Sequence, residues 1–169
     1  MGGIKGVELG FLSGYDIKQE DNSLFADIKN KHNTMNSSAA EALFQKLARY
    51  ANDNKNAKCY WVQLLAKSSF CQLWSGEING KEYNHSRVYK ISGDQFYALL
   101  TGQNDAMFQL YKALPNVIQD YLATLLSNED SQENSALIEI KSATEISKRN
   151  LIDQITFENF SYYLGFDKL

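Results

Sequence analysis

Two carboxylates and a lysine near the start of the chain have the types and spacing for phosphate chemistry. Asp16 lies in the stretch Tyr15–Gln19, and Asp27 and Lys29 lie in Leu24–Lys31. Both stretches alternate polar and apolar residues, which is the strand period. Asp21-Asn22 between them is good turn chemistry, because such side chains bond nearby backbone and tolerate a left-handed conformation. A hairpin turning there pairs Glu20 with Ser23 and, counting outward, sets Asp16 opposite Asp27. Opposed residues project to one face with Cβ atoms about 4.5–5.5 Å apart. Lys29, two residues beyond Asp27, shares that face. Tyr15, Ile17, Ala26 and Ile28 take the other face, toward a core.

Side-by-side carboxylates repel unless something neutralises them. A divalent cation does so, and hard oxygen ligands suit Mg²⁺, which takes one or two carboxylates plus waters and a phosphate oxygen. Such a set can hydrolyse a phosphate ester. The bare acid-x-Lys pattern is common, since chance alone gives about two matches in a chain of this composition. Its matches here include Asp16-Ile17-Lys18, Asp27-Ile28-Lys29 and Glu139-Ile140-Lys141, and the last has no hairpin around it. Spacing alone also fits a solvated strand pair in which Lys18 and Lys29 relieve the repulsion.

The segment after Lys29 strengthens the phosphate reading. Asn30, Lys31, His32, Asn33, Thr34, Asn36 and Ser37 run from a strand end into a helix start. Helix N-termini attract anions, and amides, hydroxyls and lysines are what phosphate contacts use. An ordinary polar loop with an N-cap is the plain alternative. Ser38 with Glu41 three residues on predicts a capping box. Leu43, Phe44, Leu47, Ala48 and Ala51 then recur at helical spacing, predicting a helix over 38–52.

Other elements must carry this site. A short strand is predicted near Val7–Leu12 and a buried strand over Cys59–Ala66. Gly76 and Asn79-Gly80 predict a second hairpin returning through Arg87–Ile91. Helices are predicted over Asp94–Leu100 and Asp105–Leu126, the latter split at Pro115, with Leu110, Leu114, Ile118, Leu122 and Leu125 as its core stripe. A polar loop over 127–135, a strand over Leu137–Lys141, a weak helix over 143–155 and an aromatic tail from Phe157 to Phe166 complete the chain. The sum is a mixed α/β domain, a central sheet with flanking helices.

The 169 residues suit one domain, and the apolar share of 44% suits a folded core. No apolar run is long enough to span a membrane, and no signal-peptide pattern opens the chain. Cys59, Cys71, His32 and His85 are too few and too scattered for a disulfide framework or a zinc site, which fits a cytoplasmic setting. The net charge of −3 argues against nucleic acid, but its distribution does not. Residues 28–68 carry seven basic and two acidic groups, while 119–169 carry four basic and nine acidic. Such asymmetry can place a basic face on an acidic protein.

Asp16 followed by Asp27-Ile28-Lys29 resembles the PD-(D/E)XK nuclease motif, with Tyr15 in place of the proline. The runs DIKNKHNTMNSS (Asp27–Ser38) and ISGDQFYALLTG (Ile91–Gly102) resemble the type II restriction endonucleases that cut GGNCC-like sites. The likeness covers about residues 6–126, a catalytic core with 127–169 as a C-terminal extension of one nuclease domain. It implies a restriction-endonuclease-like fold, with Asp16 and Asp27 as Mg²⁺ ligands and Lys29 positioning or activating water. Glu8 on the preceding strand is a further candidate metal ligand. The resemblance also implies double-stranded DNA as substrate, a homodimer, a methyltransferase as genetic partner, and a bacterial cytoplasm. Family members carry helical segments ahead of this hairpin, so the chain is expected to begin short of them. For base reading, Asn84, His85, Arg87 and Arg149 are the candidates, with surface polarity as the plain reading of each. A structure-specific repair nuclease on the same fold, an inactive DNA-binding remnant, and a plain interaction domain remain as rival readings.

Overall fold

Alternation along β3 (Leu24–Lys31) sets the plan of the molecule. Phe25 packs on one side of the strand with helix α1 (Ser37–Asp53), and Leu24 and Ala26 pack on the other. The structure is a computed structural model describing residues 6–10, 14–31, 35–126 and 151–166. The chain divides into two compact units, residues 1–106 and 107–169.

The first unit holds a six-stranded mixed sheet. Its other strands are β1 (Val7–Leu9), β2 (Ile17–Gln19), β4 (Lys58–Leu65), β5 (Cys71–Ile78) and β6 (Lys81–Ser92), in the spatial order β1-β2-β3-β4-β6-β5. The first three form an antiparallel meander, α1 crosses over, and β4 pairs parallel with β3. β6 pairs parallel with β4 and antiparallel with β5. Helix α2 (Gly93–Thr101) follows β6 directly. Cluster membership alternates along the strands. Phe25, Cys59, Trp74 and Val88 meet Leu43, Phe44, Leu47 and Ala51 of α1. Ile17, Ala26, Tyr60, Val62 and Ile91 meet Phe96 of α2. The sheet therefore lies between two helices, each burying one apolar stripe.

Both predicted turns form. Asn22 (φ 58°) and Asn79 (φ 52°) adopt the left-handed conformation that Asn tolerates. Asp21 Oδ1 accepts the Ser23 N–H at 2.9 Å, which sharpens the first turn. The cap of α1 differs from expectation. Asn36, not Ser38, is the N-cap, and its side chain accepts the Ala39 N–H at 2.9 Å. Asn caps as well as Ser, and Glu41 is drawn away to the β5–β6 turn. There it accepts from Asn79 Nδ2 at 2.9 Å and from the Tyr83 hydroxyl, with Lys81 Nζ at 3.5 Å.

The Tyr83 and Asn79 bonds hold the Glu41 carboxyl below its ordinary value. The stability it lends is full above the unfolded pKa and is lost as pH falls through the folded one. Replacing Glu41 by Gln should therefore flatten the acid-side fall in melting temperature measured by circular dichroism. An unchanged pH profile would show that the clamp contributes nothing.

In the second unit, α3 (Ala106–Leu126) runs unbroken through Pro115 instead of splitting there. A proline inside a helix costs about 3 kcal/mol, so other contacts along α3 must offset it. The buried side chains are Met107 and Tyr111, while Leu110 of the predicted stripe is exposed at 39%. Leu114 and Ile118 are half-buried, and the side chains of Leu122 and Leu125 lie outside the described residues. Helix α4 (Leu151–Phe160) leads to Phe166, and Phe160 and Phe166 pack around Tyr111. The loop over 127–135, the strand over 137–141 and the start of the helix over 143–155 fall outside the described residues. Among those described, no helix is long and apolar enough to cross a membrane.

Candidate active site

The register of the first hairpin follows from its turn: Ile17 faces Ala26 and Lys18 faces Phe25. One step outward, Asp16 comes to Asp27, but the ladder has already ended. The Asp16 N–H bonds Ala26 O at 3.1 Å, and its carboxylate accepts the Ile28 N–H at 2.6 Å. Asp16 is thus tied to β3 beside Asp27 while remaining exposed. The irregularity also turns Tyr15. Its ring packs on Phe25 at 5.6 Å, in the α1-side cluster, not on the Ile17 face where alternation placed it.

Asp27 is only 7% exposed. Lys29 Nζ lies 2.5 Å from its Oδ1, a close charge contact without hydrogen-bond alignment. Lys46 Nζ, from α1, donates to Oδ2 at 2.6 Å. Burial pushes the Asp27 carboxyl up, but the two ammoniums outweigh it and hold the group below its ordinary value. The carboxylate is therefore charged at neutral pH and depends on cations for compensation. On the next strand Trp61 is the register partner of Asp27, and Lys90 is that of Trp61. The Lys90 ammonium sits 5.3 Å from the Trp61 ring and 5.2 Å from Trp74, and burial pulls its pKa down.

The other candidates are distributed differently. Glu8 pairs with Lys18 at 2.9 Å and so is not gathered with the two aspartates. Among the described residues no three Asp, Glu, His or Cys side chains group closely enough to hold a metal. A cation here would take the two aspartates and complete its shell with water and phosphate, which is the habit of Mg²⁺. Asn30 and Lys31 are exposed at the end of β3, and Ser37 opens α1. Asn36 spends its side-chain oxygen on the cap. His32, Asn33 and Thr34 lie outside the described residues, as does Arg149.

Arg87 is engaged by backbone carbonyls. Its Nη1 donates to Asn54 O at 2.8 Å and Lys55 O at 2.5 Å, just beyond the end of α1. A guanidinium there meets the negative end of the helix dipole. His85 Nε2 lies 3.1 Å from Asn52 Oδ1, so it too is engaged with α1. Sequence reasoning missed Lys46. Its one signal is a second helical stripe, Lys46, Arg49, Tyr50 and Asp53, beside the apolar one.

With a carboxylate pair and lysine on an antiparallel hairpin, followed by a crossover helix, the chain invites comparison with known nucleases. The family model of the Eco47II restriction endonucleases matches residues 1–123. The chain belongs to this family. It is also similar to the type II restriction enzyme Sau96I of Staphylococcus aureus, 36% identical over 162 residues. That alignment covers 90% of this chain and 62% of the relative, so the chain spans less than two thirds of the relative's length. No solved structure matches. For an Eco47II-family chain, the run Ile91–Gly102 now has a structural meaning. It is the β6–α2 corner, where a Cβ on Gly93 would lie 2.1 Å from Leu64 O, and Gly102 ends the helix at φ 71°.

Proposed function

We propose that the chain is a Mg²⁺-dependent endodeoxyribonuclease of the PD-(D/E)XK fold, cutting double-stranded DNA at GGNCC-like sites. The observation that carries this reading is the buried Asp27 carboxylate beside Lys29, with Asp16 tied to the same strand, in a chain of the Eco47II family. The meander, crossover helix and parallel strand support the fold assignment.

Asp16 and Asp27 would hold the metal. A bound Mg²⁺ supplies positive charge to a phosphate oxygen and acidifies water. Lys29 orients the attacking water and stabilises charge building at phosphorus. A bond forms between the water oxygen and phosphorus as the bond to the 3′ oxygen breaks, leaving a 5′ phosphate and a 3′ hydroxyl. Asp27 keeps Lys29 at its post through the 2.5 Å contact. Asn30 and Lys31, with His32, Asn33, Thr34 and Ser37, are the proposed backbone contacts. A palindromic target favours a two-fold homodimer, and the host of such an enzyme needs a methyltransferase to protect its own sites. A bacterial cytoplasm suits the thiols, of which Cys59 is buried and pushed up to about 12.

The test is digestion of a plasmid carrying many GGNCC sites, with Mg²⁺ and with EDTA. Discrete fragments with Mg²⁺ alone, ending at those sites, are expected. Cutting at junctions or flaps regardless of sequence would favour the repair-nuclease reading, and an intact plasmid in both arms would overturn the enzyme.

A further inference from the structure

Asp27 is held by one lysine more than the proposed hydrolytic set uses. Lys29 covers Oδ1 and Lys46 covers Oδ2, at 2.5 and 2.6 Å. A cation taken up by Asp27 must displace one of them or crowd both. Lys46 comes from a different element, and it borders an open cleft of about 360 Å³ whose lining includes Tyr15, Lys18, Phe25, Arg49 and Tyr50, with Asp53 as its one carboxylate. Its ammonium already lies 5.6 Å from the Phe25 ring centroid. Lys18 is occupied by Glu8. Arg49 is exposed three residues along the same helix, and no hydrogen bond or ion pair engages it among the described residues. An ammonium and a guanidinium less than one helical turn apart, over an aromatic floor, suit a phosphodiester.

We propose that Lys46 is a positioning residue that occupies Asp27 Oδ2 in the free protein and yields it to the metal when a DNA phosphate draws the ammonium into the cleft beside Arg49. The inference rests on the nuclease reading above. It makes metal and DNA reciprocal ligands, each tightening the other. The free protein then loads metal poorly, and the hydrolytic set assembles on DNA.

The test is calorimetric titration of Ca²⁺ into the wild-type chain and its variants, each with and without a short duplex carrying a GGNCC site. Lys46→Met keeps the stem on Phe25 and removes the charge, and Lys46→Gln is the second variant should the apolar tip unsettle the fold. Without DNA, either should bind Ca²⁺ about tenfold more tightly than wild type, because a competitor is gone. The duplex should raise wild-type Ca²⁺ affinity about tenfold and that of Lys46→Met hardly at all. Lys46→Arg should behave like wild type. Folded variants that bind Ca²⁺ no more tightly than wild type would overturn the role of Lys46. In that case, loss of Ca²⁺ binding in Asp27→Asn would leave the nuclease reading standing. Wild-type protein that binds no Ca²⁺, with or without duplex, would overturn the nuclease reading and this inference with it.

Discussion

Asp27→Asn should lower the rate of DNA cleavage by at least about a thousandfold while leaving DNA binding intact or stronger. The carboxylate is the one buried acid of the proposed site, and two ammoniums converge on it. The amide is nearly isosteric, so the hairpin and the stacking of Phe25 on Tyr50 are kept. What goes is the charge that would hold the metal and fix Lys29. Two uncompensated lysines would then face the substrate, and their attraction for phosphate is no longer offset. Single-turnover cleavage and fluorescence anisotropy on the same duplex separate the two effects. Cleavage within tenfold of wild type would remove Asp27 from the chemistry. A parallel loss of binding and melting temperature would make it a structural residue.

Gly93→Ala is expected to be strongly destabilising. A methyl at this position meets Leu64 O at 2.1 Å and Leu64 C at 3.0 Å, and both are backbone atoms that cannot rotate away. Alanine in a helix otherwise gains up to about 1 kcal/mol over glycine. Overpacking against β4 should exceed that gain, for a net loss on the order of 2–3 kcal/mol in chemical denaturation. Gly102→Ala is the comparison. There φ is 71° with nothing within 4 Å, so the strain is conformational only, and about 1 kcal/mol is expected. Equal losses at the two glycines would mean that β4 yields to the methyl.

The first hairpin was legible because two independent signals agreed on it. Asp21-Asn22 placed the turn, alternation placed the faces, and together they leave one register. The reading failed at Tyr15, two residues past the ladder, where the Asp16 N–H turns to Ala26 O and alternation no longer applies. Lys46 was hidden for a different reason. Its partner is 19 residues away on another element, and its place on a helix looks like solvated charge until the strand packs beneath it. Arg87 is the converse, a cation that suited DNA by type and whose guanidinium goes to backbone carbonyls just past the end of α1. Asn36 takes the cap instead of Ser38, and Glu41 is bonded at the β5–β6 turn, a long-range contact that a local pattern does not contain. On α3 the stripe misled at Leu110, which is exposed, while Met107 and Tyr111 are buried.

Strand β4 has only parallel neighbours, β3 on one side and β6 on the other. The hairpins flanking it close through tight local turns, but β4 can join neither without a long loop closing first, and such closures are slow. The rung from Asp27 through Trp61 to Lys90 is therefore completed late, after β6 has left the ribosome. A nascent chain halted before Lys90 holds both aspartates of the hairpin on a sheet that has no second half. Synthesis itself delays the moment at which the proposed site is complete.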